Sequence, residues 1–256
     1  MFRRYLSHLV SRRLNRKKWF PMPDNKSTLF DCIVRLKMLL NFRQTVLHGV
    51  TLNTRRSWIP RAVRKSLFQG SYESPECTMV IKHVKPGDRV LEIGCGIGLV
   101  GILAARQCGS ENVFCFEANP ALERIIRDNH TRNDLTPNLI MKAVTANGRD
   151  LTFFQDRKLW GSSIFDRKRE TNKISIQSVP MQALIEAHRP SVLVIDAEGA
   201  EIELLPSADM SDVDRIIIEI HPQIVDQNRI EALVEKLISQ GFRLAEQQDL
   251  VLFFAR

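Results

Sequence analysis

The segment Arg89-Val-Leu-Glu-Ile-Gly-Cys-Gly-Ile-Gly-Leu-Val-Gly101 constrains this chain more than any other. Val90, Leu91 and Ile93 form a short aliphatic run of the kind that buries as a parallel strand. Glycines follow at alternate positions, Gly94, Gly96 and Gly98, and residues 99–106 then carry a helical pattern. A strand, a glycine turn and a helix N-terminus make a cradle in which backbone can close on a cofactor. Two cofactor classes compete for it. Gly96, Gly98 and Gly101 satisfy G-x-G-x-x-G, and Glu117 follows about 20 residues on, as a dinucleotide site requires. Glu92, two residues before the first glycine, separates them. A carboxylate at the mouth of the strand repels a pyrophosphate, but it suits a ligand with an ammonium, a sulfonium and no phosphate. The pattern therefore points to S-adenosylmethionine, with an NAD(P)-dependent oxidoreductase as the rival.

A chain of 256 residues holds one α/β domain of ordinary size plus an appendage. At 44% hydrophobic and 26% charged residues, its composition is that of a globular protein. No apolar run reaches the roughly 18 residues of a membrane span. The first residues lack the apolar core of a secretory signal, which points to the cytoplasm. The five cysteines follow no zinc or C-x-x-C spacing and read as reduced thiols. The net charge of +8 misleads as an average. Residues 1–70 carry 16 Lys or Arg against Asp24 and Asp31 alone, a balance of +14, whereas the remainder carries 21 against 27, or −6. The basicity belongs to the beginning of the chain. We read residues 1–69 as a basic, mainly helical extension and residues 70–256 as the catalytic domain.

Residues 1–20 contain seven Lys or Arg and no acid, with Phe2, Tyr5, Leu6, Leu9, Val10 and Leu14 on one helical stripe. Such a helix can lie on an anionic membrane surface, act as a mitochondrial transit peptide, or pack as a leading helix; the sequence leaves all three open. Pro21 and Pro23 stop it. A second helix is predicted over 29–47, capped by Ser27 or Thr28 and closed by Gly49. A short strand at 50–52, a basic helix at 59–68, a turn at 70–75 and a helix at 76–84 lead into the first strand.

Beyond the glycine loop, strands and helices alternate. A second strand over 112–118 delivers Glu117 to its carboxyl end, where a carboxylate can accept from both hydroxyls of a ribose. A helix over 119–133 has Pro120 in its first turn, and a third strand covers 139–144. Short β-like pieces at 151–154, 163–165 and 174–176 predict an inserted hairpin overhanging the site, with Trp160-Gly-Ser-Ser163 at its bend. A helix at 181–188 and a fourth strand at 191–195 follow, and the strand empties into Asp196-Ala-Glu-Gly-Ala-Glu201. The fifth strand, 215–220, precedes His221-Pro222; after a helix over 228–240, residues 242–246 and 250–254 pair antiparallel. This order fits a Rossmann-like, seven-stranded class I methyltransferase sheet better than a dinucleotide fold.

Asp196, Glu198 and His221 all follow central strands, at the edge where such sheets bind ligands. Methyl transfer is an in-line displacement at carbon, so the protein must align the reactants and exclude water. A hydroxyl acceptor must also lose its proton, for which His221 is the leading candidate, with Asp196 and Glu198 shaping the acceptor side. His221 reads equally well as a half-buried structural histidine, and Asp196 as a capping acid. The scheme calls for no metal, although the carboxylates of Asp196 and Glu198 could hold a divalent ion. No Asp/Asn-Pro-Pro-aromatic loop follows the fourth strand, which argues against a nucleic acid acceptor.

Gly70-Ser-Tyr-Glu73, the stretch 90–98, Phe116-Glu-Ala-Asn-Pro120, Asn129 with Asn133, Ser162-Ser163 and Ile195-Asp-Ala-Glu-Gly-Ala-Glu201 together resemble the FkbM family of methyltransferases over roughly residues 70–221. The Asp-x-Glu-Gly-x-Glu element is the most distinctive part. The resemblance implies S-adenosylmethionine-dependent O-methylation, often of sugar or polyketide hydroxyls, in proteins that often accompany bacterial cell-surface polysaccharide synthesis. It also implies that Tyr72, Glu73, Glu92, Gly94, Gly96, Gly98, Glu117, Ala118 and Asn119 bind the cofactor. Cys95 stands where the family usually has an aspartate or asparagine. The acceptor is expected to be a glycan or another small molecule, and the enzyme cytoplasmic, with residues 1–20 as a peripheral contact to anionic membrane. A rival from another class is a catalytically weak binding protein attached to membrane or nucleic acid by its basic arm.

Overall fold

The computed structural model describes residues 25–156 and 171–256, with side chains at 29–151 and 175–256. Helix α1 (Asn25–Leu39) leads into a hairpin of β1 (Gln44–Leu47) and β2 (Val50–Asn53), then α2 (Arg61–Gln69) and α3 (Ser74–His83). The helix expected over 29–47 is therefore cut short. Asn41 turns left-handed at φ 52°, and the β-branched pair Thr45 and Val46 lies opposite Leu52 and Thr51. His48 and Gly49, at φ 49° and 76°, form the two-residue turn that joins hairpin strands, so Gly49 reverses a ribbon and does not end a helix. The helix expected at residues 1–20, its proline stop, and the pieces at 160–165 lie outside the described residues.

The remaining elements are β3 (Val90–Ile93), α4 (Leu99–Cys108), β4 (Val113–Phe116), α5 (Glu123–Arg132), β5 (Asn138–Ile140), β6 (Ala143–Thr145), β7 (Leu151–Asp156), β8 (Thr171–Ile176) and β9 (Ser178–Pro180). They are followed by α6 (Met181–His188), β10 (Val192–Ile195), α7 (Glu201–Leu204), β11 (Arg215–Glu219), α8 (Gln227–Ser239), β12 (Arg243–Gln248) and β13 (Val251–Ala255). Seven strands form one sheet in the order β12-β13-β11-β10-β3-β4-β5, in which β13 runs antiparallel between β11 and β12. This is the class I methyltransferase order. The antiparallel insertion distinguishes it from a dinucleotide-binding sheet, whose strands run on in parallel.

The third strand divides in two. β5 pairs with β4, while β6 leaves the main sheet to pair with β9. The break falls at Met141-Lys142, where the Lys142 N–H bonds back to the Ile140 carbonyl at 3.0 Å. β7 and β8 form the inserted antiparallel hairpin.

Apolar cores cover both faces of the sheet. One joins Val90, Val192 and Ile217 to Ile97, Leu103, Val50, Leu52, Ile59 and Leu67, so the hairpin and α2 pack into the same layer as α4. The other joins Leu91, Ile93, Leu193 and Ile195 to Leu184, Leu233 and Leu237. Asn129 ties these parts to the glycine loop: its Nδ2 donates to the Ile97 carbonyl at 2.9 Å and its Oδ1 accepts the Asn53 N–H at 2.8 Å. Asn133 clamps Thr51 in the same way, through 2.9 and 2.8 Å bonds. Among the described residues no helix is long and apolar enough to cross a membrane.

Candidate active site

Register determines which side chains reach the site. Ile93, Phe116, Ile195 and Ile218 stand opposite one another across four parallel strands. The next residues, Gly94, Glu117, Asp196 and Glu219, therefore form one row at the carboxyl edge, where α/β sheets bind ligands. A cavity of about 360 Å³ opens over part of this row, lined by Tyr72, Glu73, Gly94, Gly96, Glu117, Ala118, Asn119, Asp196 and Glu198. Phe116, Leu122, Val144 and, from the base of the inserted hairpin, Leu151 supply apolar walls. The volume lies in the range of small-molecule sites.

The glycines answer to close approach. Gly94 has φ 86°, and a Cβ there would lie 1.9 Å from the Asp196 carbonyl oxygen. At Gly96, φ 52°, a Cβ would meet Glu73 Oε1 at 2.6 Å and Tyr72 Oη at 2.8 Å. Gly98, φ 83°, precedes α4 and packs on Ile126 and His130, below the cavity.

Glu117 is buried, with both oxygens engaged. Oε2 accepts from the Cys95 and Gly96 N–H groups at 3.1 and 3.2 Å, and Oε1 from the Asn119 N–H at 2.7 Å. Burial raises its pKa and these backbone donors oppose the rise. Glu73 is held well above the usual carboxylate range by burial, despite its bond to Tyr72, and its Oε2 has no hydrogen-bond partner.

Glu92 is not where the sequence argument put it. Strand residues alternate between faces, so Glu92 shares the face of Val90 and points under α4. It is 1% exposed, and its Oε2 and Cys115 Sγ fill the space beside Gly101 that a Cβ would occupy. Burial pushes its pKa up to about 7. It contributes to the floor beneath the loop and not to the cavity wall.

On the opposite side, Asp196 and Glu198 line the cavity, Glu198 exposed in a left-handed conformation at φ 50°. His221 does not line it; the imidazole is buried behind Asp196. Its Nδ1 pairs with Glu201 Oε1 at 3.1 Å, and its Nε2 lies 3.4 Å from Asp196 Oδ1 and 4.0 Å from Glu219 Oε2. Burial lowers its pKa, but the Glu201 bond and the carboxylates of Asp196, Glu201 and Glu219 outweigh that and lift it to about 9. Burial raises Asp196 to about 7, with Glu198, Glu76 and Glu201 adding to the rise and His221 opposing it. Glu219 rises to about 8 through burial and the neighbouring Asp196.

Sequence reasoning assigned no role to Glu76, Glu201 and Glu219. The signal for Glu219 lay in its place as the last residue of the fifth strand, level with Asp196. Glu76 and Glu201 come from helices whose orientation only packing decides.

The cradle fits S-adenosylmethionine on the chain's own features. Gly94 and Gly96 leave space that a side chain would fill, Glu117 offers a fixed carboxylate for hydroxyls, and apolar walls suit a purine.

A family model described as Methyltransferase FkbM domain matches residues 97–244. The ribosomal protein L11 methyltransferase of Burkholderia vietnamiensis is 44% identical over 50 residues, 20% of this chain and 16% of that protein. The chain thus matches about a sixth of the length of that curated relative. Precorrin-6y C5,15-methyltransferase from Geobacter metallireducens superposes with a TM-score of 0.46 at 14% identity, over 80% of this chain and 93% of that one. TYW2 of M. jannaschii in complex with AdoMet gives a TM-score of 0.42 at 14% identity, over 83% of each chain. These likenesses say nothing of the acceptor. The family model spans more than half of the chain, and the chain belongs to the FkbM family of S-adenosylmethionine-dependent methyltransferases.

Proposed function

We propose that this chain transfers a methyl group from S-adenosylmethionine to a hydroxyl of a glycan or other small acceptor. The observation that carries the reading is the single row of Gly94, Glu117 and Asp196 around one cavity. The cofactor supplies an electrophilic methyl group on a sulfonium. Glu117 binds the ribose hydroxyls with the lone pairs its backbone donors leave, while Gly94 and Gly96 let the backbone close in. Tyr72 and Glu73 cover the loop and help exclude water. Asp196 and Glu198 face the acceptor. Asp196 takes the hydroxyl proton, a role that geometry favours for it over His221, because Asp196 lines the cavity and His221 stands behind it. His221 is then a positioning residue for Asp196.

Calorimetry with S-adenosylmethionine and with NAD(P), followed by labelled-methyl transfer to a panel of glycans and small alcohols, tests the reading. Binding of NAD(P) alone, or label recovered only on nitrogen or nucleic acid, would overturn it. For location we propose the cytoplasm, with residues 1–20 touching anionic lipid. Seven basic residues without an acid support this contact, as do the exposed apolar residues Leu29, Ile33 and Leu36 of α1 and Leu40 just past its end. Deleting residues 1–20 should abolish co-sedimentation with anionic liposomes and spare cofactor binding; retained co-sedimentation would remove the contact.

A further inference from the structure

Behind the cavity wall, Asp196, Glu219 and His221 each turn one ligand atom into a common space, and the three atoms lie within 4.8 Å of one another. Donors on one ion, with bonds of about 2.0–2.2 Å, stand roughly 3 to 4.4 Å apart. We propose that this space is a divalent-cation site, with Asp196 Oδ1, Glu219 and His221 Nε2 as protein ligands and Glu201 orienting the imidazole.

Glu201, fully buried, engages His221 Nδ1 at 3.1 Å and leaves Nε2 as the nitrogen that faces the two carboxylates. A carboxylate on the far nitrogen is the usual outer support of a metal-bound imidazole. Nε2 itself is poorly matched by protein, since Asp196 Oδ1 at 3.4 Å and Glu219 at 4.0 Å are both long for a hydrogen bond.

The second observation is independent of that geometry. Glu76, on α3, is 6% exposed and shares a side-chain hydrogen bond with Glu219 beside His221, while its buried Oε2 has no hydrogen-bond partner among the described residues; neither has the buried Asp196 Oδ1. Among the described residues no Lys or Arg forms an ion pair with Glu76, Asp196, Glu201 or Glu219. Four acids thus converge on one imidazole, with one hydrogen bond shared between Glu76 and Glu219, and a buried acid cluster of this kind is normally completed by protons or by a metal. Mixed carboxylate and imidazole donors suit a first-row divalent ion such as Mn²⁺. A second cavity of about 550 Å³, lined by Glu73, Glu76, Glu219 and Asp249, offers a route in from the other side.

On the methyl-transfer reading proposed above, the site also has a use. The Asp196 side chain is 32% exposed although Oδ1 is buried, so its other oxygen faces the cavity. An ion on Oδ1 stands next to an acceptor hydroxyl and eases the loss of its proton to Asp196. The sequence left a divalent ion open on Asp196 and Glu198; the proposed ligands are instead Asp196, Glu219 and His221.

The test is Mn²⁺ titration of the full chain, with free Mn²⁺ read by electron paramagnetic resonance. One saturable site per chain is expected. Glu219→Gln and Asp196→Asn should each weaken it at least tenfold, and Glu201→Gln by about 10–100-fold. Nitrogen-14 modulation of the bound Mn²⁺ signal should be present in the wild type and lost in His221→Gln. Circular dichroism and S-adenosylmethionine binding identify the variants that are folded. Absence of saturable binding, or binding that survives both carboxylate substitutions, would overturn the proposal. Methyl transfer assayed in parallel keeps the two readings apart. Mn²⁺ binding without transfer to any acceptor leaves the site and removes the function; transfer that survives chelation, with no saturable Mn²⁺ site, does the reverse.

Discussion

Glu117 and Asp196, on the two sides of the cavity, are carboxylates handled in opposite ways. On the cofactor side Glu117 meets three backbone N–H groups, two of them in the glycine loop. On the acceptor side Asp196 lies among Glu198, Glu219 and Glu201, with a single imidazole in common. Backbone donors are fixed by the fold, so the first arrangement is complete before any ligand arrives. The second is short of positive charge among the described residues, and burial, with the neighbouring acids adding to it, shifts its acids upward. On the proposed reading, the carboxylate that binds the cofactor is satisfied by the chain itself, whereas the one that takes the proton is not.

The most severe way to break this contrast is to separate the two sides where they touch. Gly94→Ala sets a Cβ 1.9 Å from the Asp196 carbonyl oxygen, a backbone atom that cannot swing away. We expect destabilisation beyond about 4 kcal/mol, read by thermal or urea unfolding. A Gly94→Ala protein as stable as wild type would mean that the strands are not in this register.

Asp196→Asn acts on the acceptor side alone. Turnover should fall by about 10²–10⁴, the usual cost of losing a general base, with cofactor affinity changed less than threefold or so. Initial rates and calorimetry separate the two quantities, and a change confined to affinity would move Asp196 to the cofactor side.

Glu117→Gln acts on the other side and should do less. Charge-assisted bonds to hydroxyls contribute about 1.5–3 kcal/mol, so S-adenosylmethionine affinity should drop roughly tenfold or more. Turnover at saturating cofactor should fall less than in Asp196→Asn; the reverse ranking contradicts the division.

The smallest effect concerns pH beneath the glycine loop. His130 packs against Gly98, and its pKa falls to about 4 through burial and the nearby Arg127. Between its ordinary value near 6.5 and 4 the unfolded chain binds a proton that the folded chain does not, so stability falls as pH drops through that window. Wild type should therefore lose more stability between pH 7 and 4.5 than His130→Gln does. Equal losses would show that the imidazole is protonated in the fold.

Much of the fold was legible because it depends on local pattern. Val192–Ile195 is a continuous apolar strand and Val90–Ile93 is apolar but for Glu92, and each is followed by residues that cannot continue a strand. The errors have local causes too. The apolar residues of 29–47 keep a helical spacing up to Leu40, and the spacing conceals a hairpin whose left-handed turn at His48-Gly49 was the better guide. Residues 139–144 look like one strand because periodicity carries no record of which neighbour each half will pair with. Glu92 was misplaced by counting distance to the glycines and ignoring the two-residue alternation that turns it under α4.

What the sequence alone determined was the order of strands and helices, the glycine cradle and the acids at strand ends, since each follows from backbone preference and burial over a few neighbouring residues. Tertiary structure decided the rest. Register set Glu219 level with Asp196, and the packing of α3 and α7 brought Glu76 and Glu201 toward the same histidine. Those contacts join residues from about twenty positions apart, as for Glu201 and His221, to more than a hundred, as for Glu76 and Glu219, where no local rule reaches, and their charges matter to one another only after folding has removed the water between them.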